Sequence, residues 1–313
     1  MISKIGDMGS QHASSDELVA ICTYQRSHEV GALLQLLHDS NTPDVCVVDS
    51  SNDNLTLEAC ERYPSNIVHI RAPEPSLARQ RNLALDYARE KAYRIVHFID
   101  DDSRPIDDYF QQISLEFNRR ADVAGVGGIV VNQPPVRQIS AKRFFLLYSN
   151  RSGRILKSGR NTIGHYDSGT STDVEWLPGC AMSYRLSGIN GFSFDSRLEG
   201  YSWGEDFDFS FRVSRQRRLR ICHTAKLVHE ESPRNRLKTR DHARVRMITL
   251  HRWVQEQACS GMRVGAFWWA AAGEITLRLV GATFDRKSSA THLAVVRGTL
   301  DGALSIIKSR SGE

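Results

Sequence analysis

Arg94-Ile95-Val96-His97-Phe98-Ile99-Asp100-Asp101-Asp102 runs from a β-branched apolar stretch directly into three consecutive carboxylates. Arg94–Asp100 reads as a buried strand, and the acids stand at its carboxyl end. Three adjacent negative charges repel unless a cation or hydrogen-bond donors neutralise them. A hard divalent ion with oxygen ligands answers this well. Magnesium or manganese, held by one or two carboxylates together with substrate phosphates, fits the pattern. Aspartates also suit helix starts, and Asp107 and Asp108 serve that purpose equally well, but three carboxylates exceed what a cap requires.

Upstream, Leu18–Cys22, Val45–Asp49 and Ile67–Arg71 are further short apolar runs bounded by polar turns, and each reads as a strand. Glu29–His38, Leu55–Arg62 and Ser76–Glu90 lie between them and read as helices. Leu77, Arg81, Ala84, Leu85 and Ala88 give the last its helical spacing. This alternation predicts an α/β fold with a Rossmann-like mixed sheet, its strand–helix part parallel with right-handed crossovers, and flanking helices. Such sheets bind ligands beyond the carboxyl ends of their strands, which directs attention to 23–26, 49–54, 71–75 and 100–104. Val123–Val131 reads as a fifth strand, where Gly125, Gly127 and Gly128 predict a bulge or a close backbone approach. Arg151–Arg160, rich in Arg, Ser and Gly, predicts a long mobile loop. Val174–Arg185 reads as strand with a turn at Pro178–Gly179, Gly204–Gln216 as helix and Leu219–His229 as strand. From residue 235 onward the pattern is helical.

A length of 313 residues suits one large α/β domain with a helical appendage, or two modest domains. The mixture of 41% apolar and 25% charged residues is that of a globular chain whose core needs no staples. None of the six cysteines stands at metal-ligand spacing, and no CxxC occurs, which predicts a reducing compartment. Met1–Glu17 is polar, without the apolar core of a signal peptide, and reads as a flexible N-terminus. No uninterrupted apolar run is long enough to span a membrane. These features predict a cytoplasmic protein. The net charge of +5 fits anionic substrates or a membrane surface.

A second acidic group lies in Tyr201-Ser202-Trp203-Gly204-Glu205-Asp206-Phe207-Asp208. Acids in a first helical turn meet the helix dipole, which accounts for Glu205 and Asp208. It leaves the preceding Gly204 and Trp203 unexplained. Glycine permits close approach of a ligand, an aromatic ring packs on a sugar face, and a carboxylate there accepts a proton from an acceptor hydroxyl.

Taken together, these segments resemble glycosyltransferase family 2, whose nucleotide-sugar-binding fold is called GT-A. The resemblance runs from about Leu18 to about His229. Val19-Ala20-Ile21-Cys22-Thr23-Tyr24-Gln25-Arg26 resembles the opening strand, and Val47-Val48-Asp49-Ser50-Ser51-Asn52-Asp53 the second strand with its acidic end. Ser76-Leu77-Ala78-Arg79-Gln80-Arg81-Asn82 resembles the Ala-Arg-Asn helix, with Gln80 in the alanine position. Asp100-Asp101-Asp102 resembles the Asp-X-Asp metal motif, and Gly204-Glu205-Asp206 the acid pair that supplies the base.

The resemblance implies a GT-A domain over 18–232, with a nucleotide-binding half over 18–103 and an acceptor half over 104–232. Residues 1–17 and a helical extension over 233–313 flank it. It further implies that Thr23 and Asp49 hold the base, that Arg26 and Asp101 border the nucleotide, and that Arg81 approaches the base or the diphosphate. Asp100 would touch ribose or metal, Asp102 would bind metal, and His229 matches a metal-binding histidine of some relatives. Pro178-Gly179-Cys180-Ala181 would line the donor sugar beside Trp203. Asp206 would be the base, with Glu205 orienting the acceptor. The implied reaction is inverting transfer from a UDP-, GDP- or dTDP-sugar to a saccharide or lipid-linked acceptor, dependent on manganese or magnesium. Cell-surface polysaccharide or glycolipid synthesis is the implied setting.

Haloacid-dehalogenase-type phosphatases also place carboxylates at a strand end, but after the first strand rather than the fourth. A sugar nucleotidylyltransferase normally needs a Gly-rich loop near the first strand, and Thr23-Tyr24-Gln25-Arg26 has none. A silent nucleotide-sugar-binding scaffold stays open. Arg234, Arg236, Lys238, Arg240, Arg244 and Arg246 form a basic run, followed by the aromatic Phe267-Trp268-Trp269. The run reads as a solvated face or as a peripheral contact with anionic lipid at the inner face of the membrane. No nucleic-acid-binding motif accompanies it.

Overall fold

Among the described residues, ten strands form one sheet: β1 (Ile2–Lys4), β2 (Glu17–Thr23), β3 (Asp44–Asp49), β4 (Ile67–Arg71), β5 (Ile95–Asp100), β6 (Ser103–Pro105), β7 (Val123–Val130), β8 (Thr172–Val174), β9 (Ala181–Arg185) and β10 (Arg218–His229). The helices are α1 (Ser27–Asp39), α2 (Leu55–Glu61), α3 (Leu77–Glu90), α4 (Tyr109–Arg119), α5 (Ser140–Phe144), α6 (Glu205–Ser214), α7 (Thr239–Glu256), α8 (Val264–Phe284) and α9 (Ser289–Ser311). The structure is a computed structural model that describes residues 2–4, 15–39, 42–63, 66–133, 140–162, 169–234 and 236–311. The chain divides into two compact units, 1–134 with 165–235 and 135–164 with 236–313.

In the first unit the strand order is β1-β4-β3-β2-β5-β9-β7-β10-β6, and β8 pairs with β10. β4, β3, β2 and β5 are parallel, as the strand–helix alternation predicts. β9 then enters antiparallel between β5 and β7. Alternate residues of β2 serve opposite faces. Leu18 and Ala20 join a core with Ala84, Leu85 and Ala88 of α3 and Phe209 of α6. Val19 and Ile21 join another with Val30, Leu33 and Leu34 of α1 and Ile113 of α4. Burial on both faces is why these strands read as continuous apolar runs.

Several expectations change. Val174–Arg185 is not one strand, because β8 pairs with β10 while β9 pairs with β5 and β7. Pro178, which has no N–H to donate, lies in the intervening turn, closed by Ala181 N–H donating to its carbonyl at 2.9 Å. In β7 the glycines mark close approach, as expected: a Cβ on Gly128 would run into the Tyr109 ring. Most of the N-terminal stretch expected to be flexible, 5–14, lies outside the described residues, whereas Ile2–Lys4 pairs antiparallel with β4.

The second unit contains α5, α7, α8 and α9. Arg151–Arg160 belongs here and is not the open loop its composition suggests. Leu156 N–H donates to Arg160 O at 2.8 Å, and Gly153 N–H to Thr162 O at 3.0 Å. A tertiary ion pair fixes its end: Arg160 and Arg246 each bind one oxygen of the buried Glu274 at 2.6 Å. Burial opposes the charge on Glu274, but the two guanidinium groups win and hold it down at about 2.

Gln80, at the position where the resemblance has alanine, is 3% exposed. Its amide Nε2 donates to Thr23 O at 2.8 Å and Val48 O at 2.9 Å, clipping α3 to the ends of β2 and β3. Gln80→Ala removes both bonds and should lower stability by about 1–3 kcal/mol. Urea unfolding followed by circular dichroism measures this, and an unchanged midpoint would dismiss the clip.

Candidate active site

The acidic cluster lies at the carboxyl end of β5, where the sheet rule directs the search. It does not cap a helix, since α4 begins only at Tyr109, after Asp108. The three aspartates have separate surroundings. Asp101 is buried, accepting from Thr23 Oγ1 at 2.7 Å and from Arg26 Nη1 at 3.0 Å. Burial pushes it up to about 6, against the pull of Arg26. Asp102 accepts from Ser232 N–H at 2.8 Å, and its other oxygen lies 2.9 Å from His229 Nε2. Burial works against its charge, but the His229 hydrogen bond prevails and holds it at about 2. Asp100 is the most open of the three.

His229 arrives through strand pairing. In the antiparallel register of β10 with β6, His229 faces Ser103, one residue past Asp102. The ligand atoms of Asp100, Asp102 and His229 all lie within 4.8 Å of one another. Two carboxylates and an imidazole are a donor set suited to a divalent ion. Burial opposes protonation of His229, yet its bond to Asp102 carries it up to about 11. A metal bound there would compete with a proton on His229. The Cys180 thiol also lies against this ring.

Arg81 joins this cluster to the acid pair. It is 2% exposed, with its guanidinium near the rings of Phe98 and Phe194. Nη1 donates to Glu205 Oε1 at 2.5 Å, and Nη2 to Asp100 Oδ1 at 3.2 Å and Gly179 O at 3.0 Å. The neighbouring Asn82 exchanges two hydrogen bonds with the backbone of Phe194, fixing the helix against the Phe194 segment. Burial pushes Glu205 up to about 8, although Arg81 draws it the other way.

Gly204, with φ +89°, precedes α6 in a conformation that glycine alone adopts without strain. It starts the helix so that Glu205 turns to Arg81 and Asp206 to Gly179. Asp206 Oδ2 accepts from Gly179 N–H at 3.0 Å and Oδ1 from Phe207 N–H at 2.8 Å. Burial raises the pKa of Asp206 above the ordinary aspartate range, against Arg81 and these two N–H groups. The Trp203 indole packs edge-on against Phe207.

The predicted site residues fall into two sets. Thr23, Arg26, Arg81, Asp100, Asp101, Asp102, Gly179, Glu205, Asp206 and His229 are linked by the bonds described, together with Arg26 at 3.5 Å from Asp102 and His229 at 3.7 Å from Asp100, and Trp203 packs on Phe207, the residue after Asp206. Asp49 stands apart, fully buried, between Ser51 N–H at 2.8 Å, Arg71 at 2.9 Å and His69 at 3.3 Å. The sequence reading missed Gln80 and Ser232. Gln80 offered a signal, being an amide four residues before Ala84 on the apolar stripe of α3. Ser232 offered none, because it contributes a backbone N–H.

Such a sheet, with metal-competent carboxylates at the carboxyl end of a parallel strand and an acid pair beside them, defines a glycosyltransferase of GT-A architecture. Residues 18–177 match the family described as glycosyl transferase family 2, and the chain belongs to that family. Among solved structures it is similar to the mannosyltransferase PcManGT from Pyrobaculum calidifontis in complex with GDP-Man and Mn2+. The TM-score is 0.58 at 15% identity, over 95% of this chain and 90% of that one. Residues 1–349 of TarS from S. aureus give 0.51 at 16% identity, over 95% and 92%. At these identities the likeness is one of fold. No curated protein matches the chain significantly.

Manganese uptake should release a proton from His229, measurable by calorimetry in buffers of different ionisation enthalpy. His229→Ala should lose that release and weaken binding at least about tenfold. Equal proton release by the variant would remove His229 from the metal set.

Proposed function

We propose that the chain transfers a sugar from a nucleotide diphosphate-sugar to an acceptor hydroxyl, with inversion at the anomeric carbon and with a divalent metal. One observation carries this reading: the buried Arg81 binds Asp100 and Glu205 together, so the metal-competent edge and the acid pair form a single site. Asp206 is the base. Its carboxylate is oriented by two backbone N–H groups, whereas Glu205 is engaged by Arg81.

The acceptor oxygen forms its bond to the anomeric carbon as the bond to the diphosphate oxygen breaks, and the electron pair leaves with the nucleotide diphosphate. The acceptor proton passes to an Asp206 oxygen. Glu205, fixed by Arg81, orients the acceptor. Asp100, Asp102 and His229 would hold manganese or magnesium, which would supply positive charge to the leaving diphosphate. A single displacement needs one base, unlike glycosidases with their two opposed carboxyl groups. Thr23, Arg26, Asp49 and Asp101 serve the nucleotide end, and Gly179 and Trp203 the sugar. PcManGT, whose structure holds GDP-Man and Mn2+, supports a nucleotide-sugar donor; the proposed carrier is UDP, GDP or dTDP. The acceptor is a saccharide or a lipid-linked glycan, in cell-surface polysaccharide or glycolipid synthesis. The six free cysteines fit a reducing, cytoplasmic setting.

A nucleotide diphosphate panel tested by thermal shift, with and without manganese, should give a rise for one base. That rise should be lost in Asp102→Ala; no rise for any nucleotide would reject a donor site.

Asp206→Asn should lower kcat by about 10²–10⁴-fold while leaving donor affinity intact. Retained turnover would move the base elsewhere. The base must be ionised, so activity falls as pH drops through the raised pKa of Asp206. The acid limb of kcat/KM should therefore lie above the ordinary aspartate range, and Asp206→Asn should abolish that limb.

A further inference from the structure

The modest net charge of the chain conceals a strong partition. Residues 135–164 and 236–313, the second unit, carry 20 Lys and Arg against 6 Asp and Glu, a net +14. The remaining residues carry 21 against 30, a net −9. Among the described residues, Glu274 is paired inside the unit with Arg160 and Arg246, and Asp301 with Arg240, and the net of +14 already counts these acids.

The same unit exposes apolar side chains where a solvated helix shows charges. None of the exposed residues of α8 is charged. Trp269, Leu279, Val280 and Phe284 are among them, and Phe284 is 86% exposed. The helix is 21 residues long, about 30 Å. No helix among the described residues is long and apolar enough to cross a membrane. At the Trp269 end, α5 adds Phe144, 65% exposed, packed edge-on against the indole. The indole N–H donates to Phe144 O at 2.9 Å. Lys142 and Arg143 immediately precede this pair, and Arg286 and Lys287 follow Phe284 at the other end of α8. α9 adds a second exposed apolar row, Leu293, Leu300, Leu304 and Ile307.

We propose that this unit docks on an anionic lipid bilayer, with the exposed face of α8 and the Phe144–Trp269 pair lying in the interface and the flanking basic residues meeting lipid headgroups. Uncharged aliphatic residues, interfacial aromatics and basic flanks on one helix are what such a surface recognises. A nucleic acid would meet the charge but leave the apolar rows without a role. Two copies paired face to face across α8 would bring two +14 units together.

Vesicle flotation of the full chain tests this. Phosphatidylcholine vesicles with about 30% phosphatidylglycerol should carry the protein, pure phosphatidylcholine far less, and high salt should release it. Leu279→Ser/Phe284→Ser and, separately, Arg286→Glu/Lys287→Glu should each loosen binding at least about tenfold. Circular dichroism and the melting temperature should stay as in the parent chain, since all four side chains are exposed. The proposal is overturned if the folded parent ignores anionic vesicles, if both variants float like the parent, or if light scattering shows the apolar variant only splitting a dimer while vesicle binding persists. Nucleotide binding reads the donor site independently, so failure here leaves the transferase reading standing.

Discussion

A guanidinium with no access to water must find its counter-charges inside the protein, and Arg81 imposes that condition on the first unit. It draws Asp100 from the end of β5, Glu205 from the first turn of α6 and the Gly179 carbonyl from the turn before β9. Those three groups come from segments far apart in sequence. Phe98 and Phe194 line the guanidinium, so the cation cannot escape to solvent without opening the core. Both Asn82–Phe194 hydrogen bonds and the Gln80 clip hold α3 in register for this single side chain.

Three neighbouring aspartates seemed to demand a metal. The protein itself already relieves part of that demand, because Arg26 binds Asp101 and lies 3.5 Å from Asp102, while His229 and the Ser232 N–H bind Asp102. The electrostatic role is therefore divided. Asp101 faces inward, toward Thr23 and Arg26, and Asp100 and Asp102 face His229. On the proposed reading, an ion held by Asp100, Asp102 and His229 would compete with the His229 proton rather than enter a bare nest of negative charge.

The second unit follows a different rule. Its core contains a buried carboxylate, Glu274, held by two arginines, and its surface carries apolar rows among an excess of positive charge. Such a surface is unfavourable in water and favourable against an apolar layer edged with negative charge. A charge total for the whole chain could not reveal this, because the acidic first unit nearly cancels it.

The sequence by itself determined the parallel strands β2 to β5, through apolar runs alternating with amphipathic helices, and it located the acids at 100–102 and 205–206. Both signals are local: periodicity and strand-end position are written within a dozen residues. Tertiary structure alone decided that Arg81 is a buried link rather than a surface group, that Gln80 is a clip, that Asp49 is enclosed by Ser51, His69 and Arg71, and that Arg151–Arg160 is tied down by Glu274. It also decided that His229 reaches Asp102. In each case the partner stands many residues away, and burial and charge pairing depend on which strands and helices become neighbours, a fact no single stretch of the chain contains.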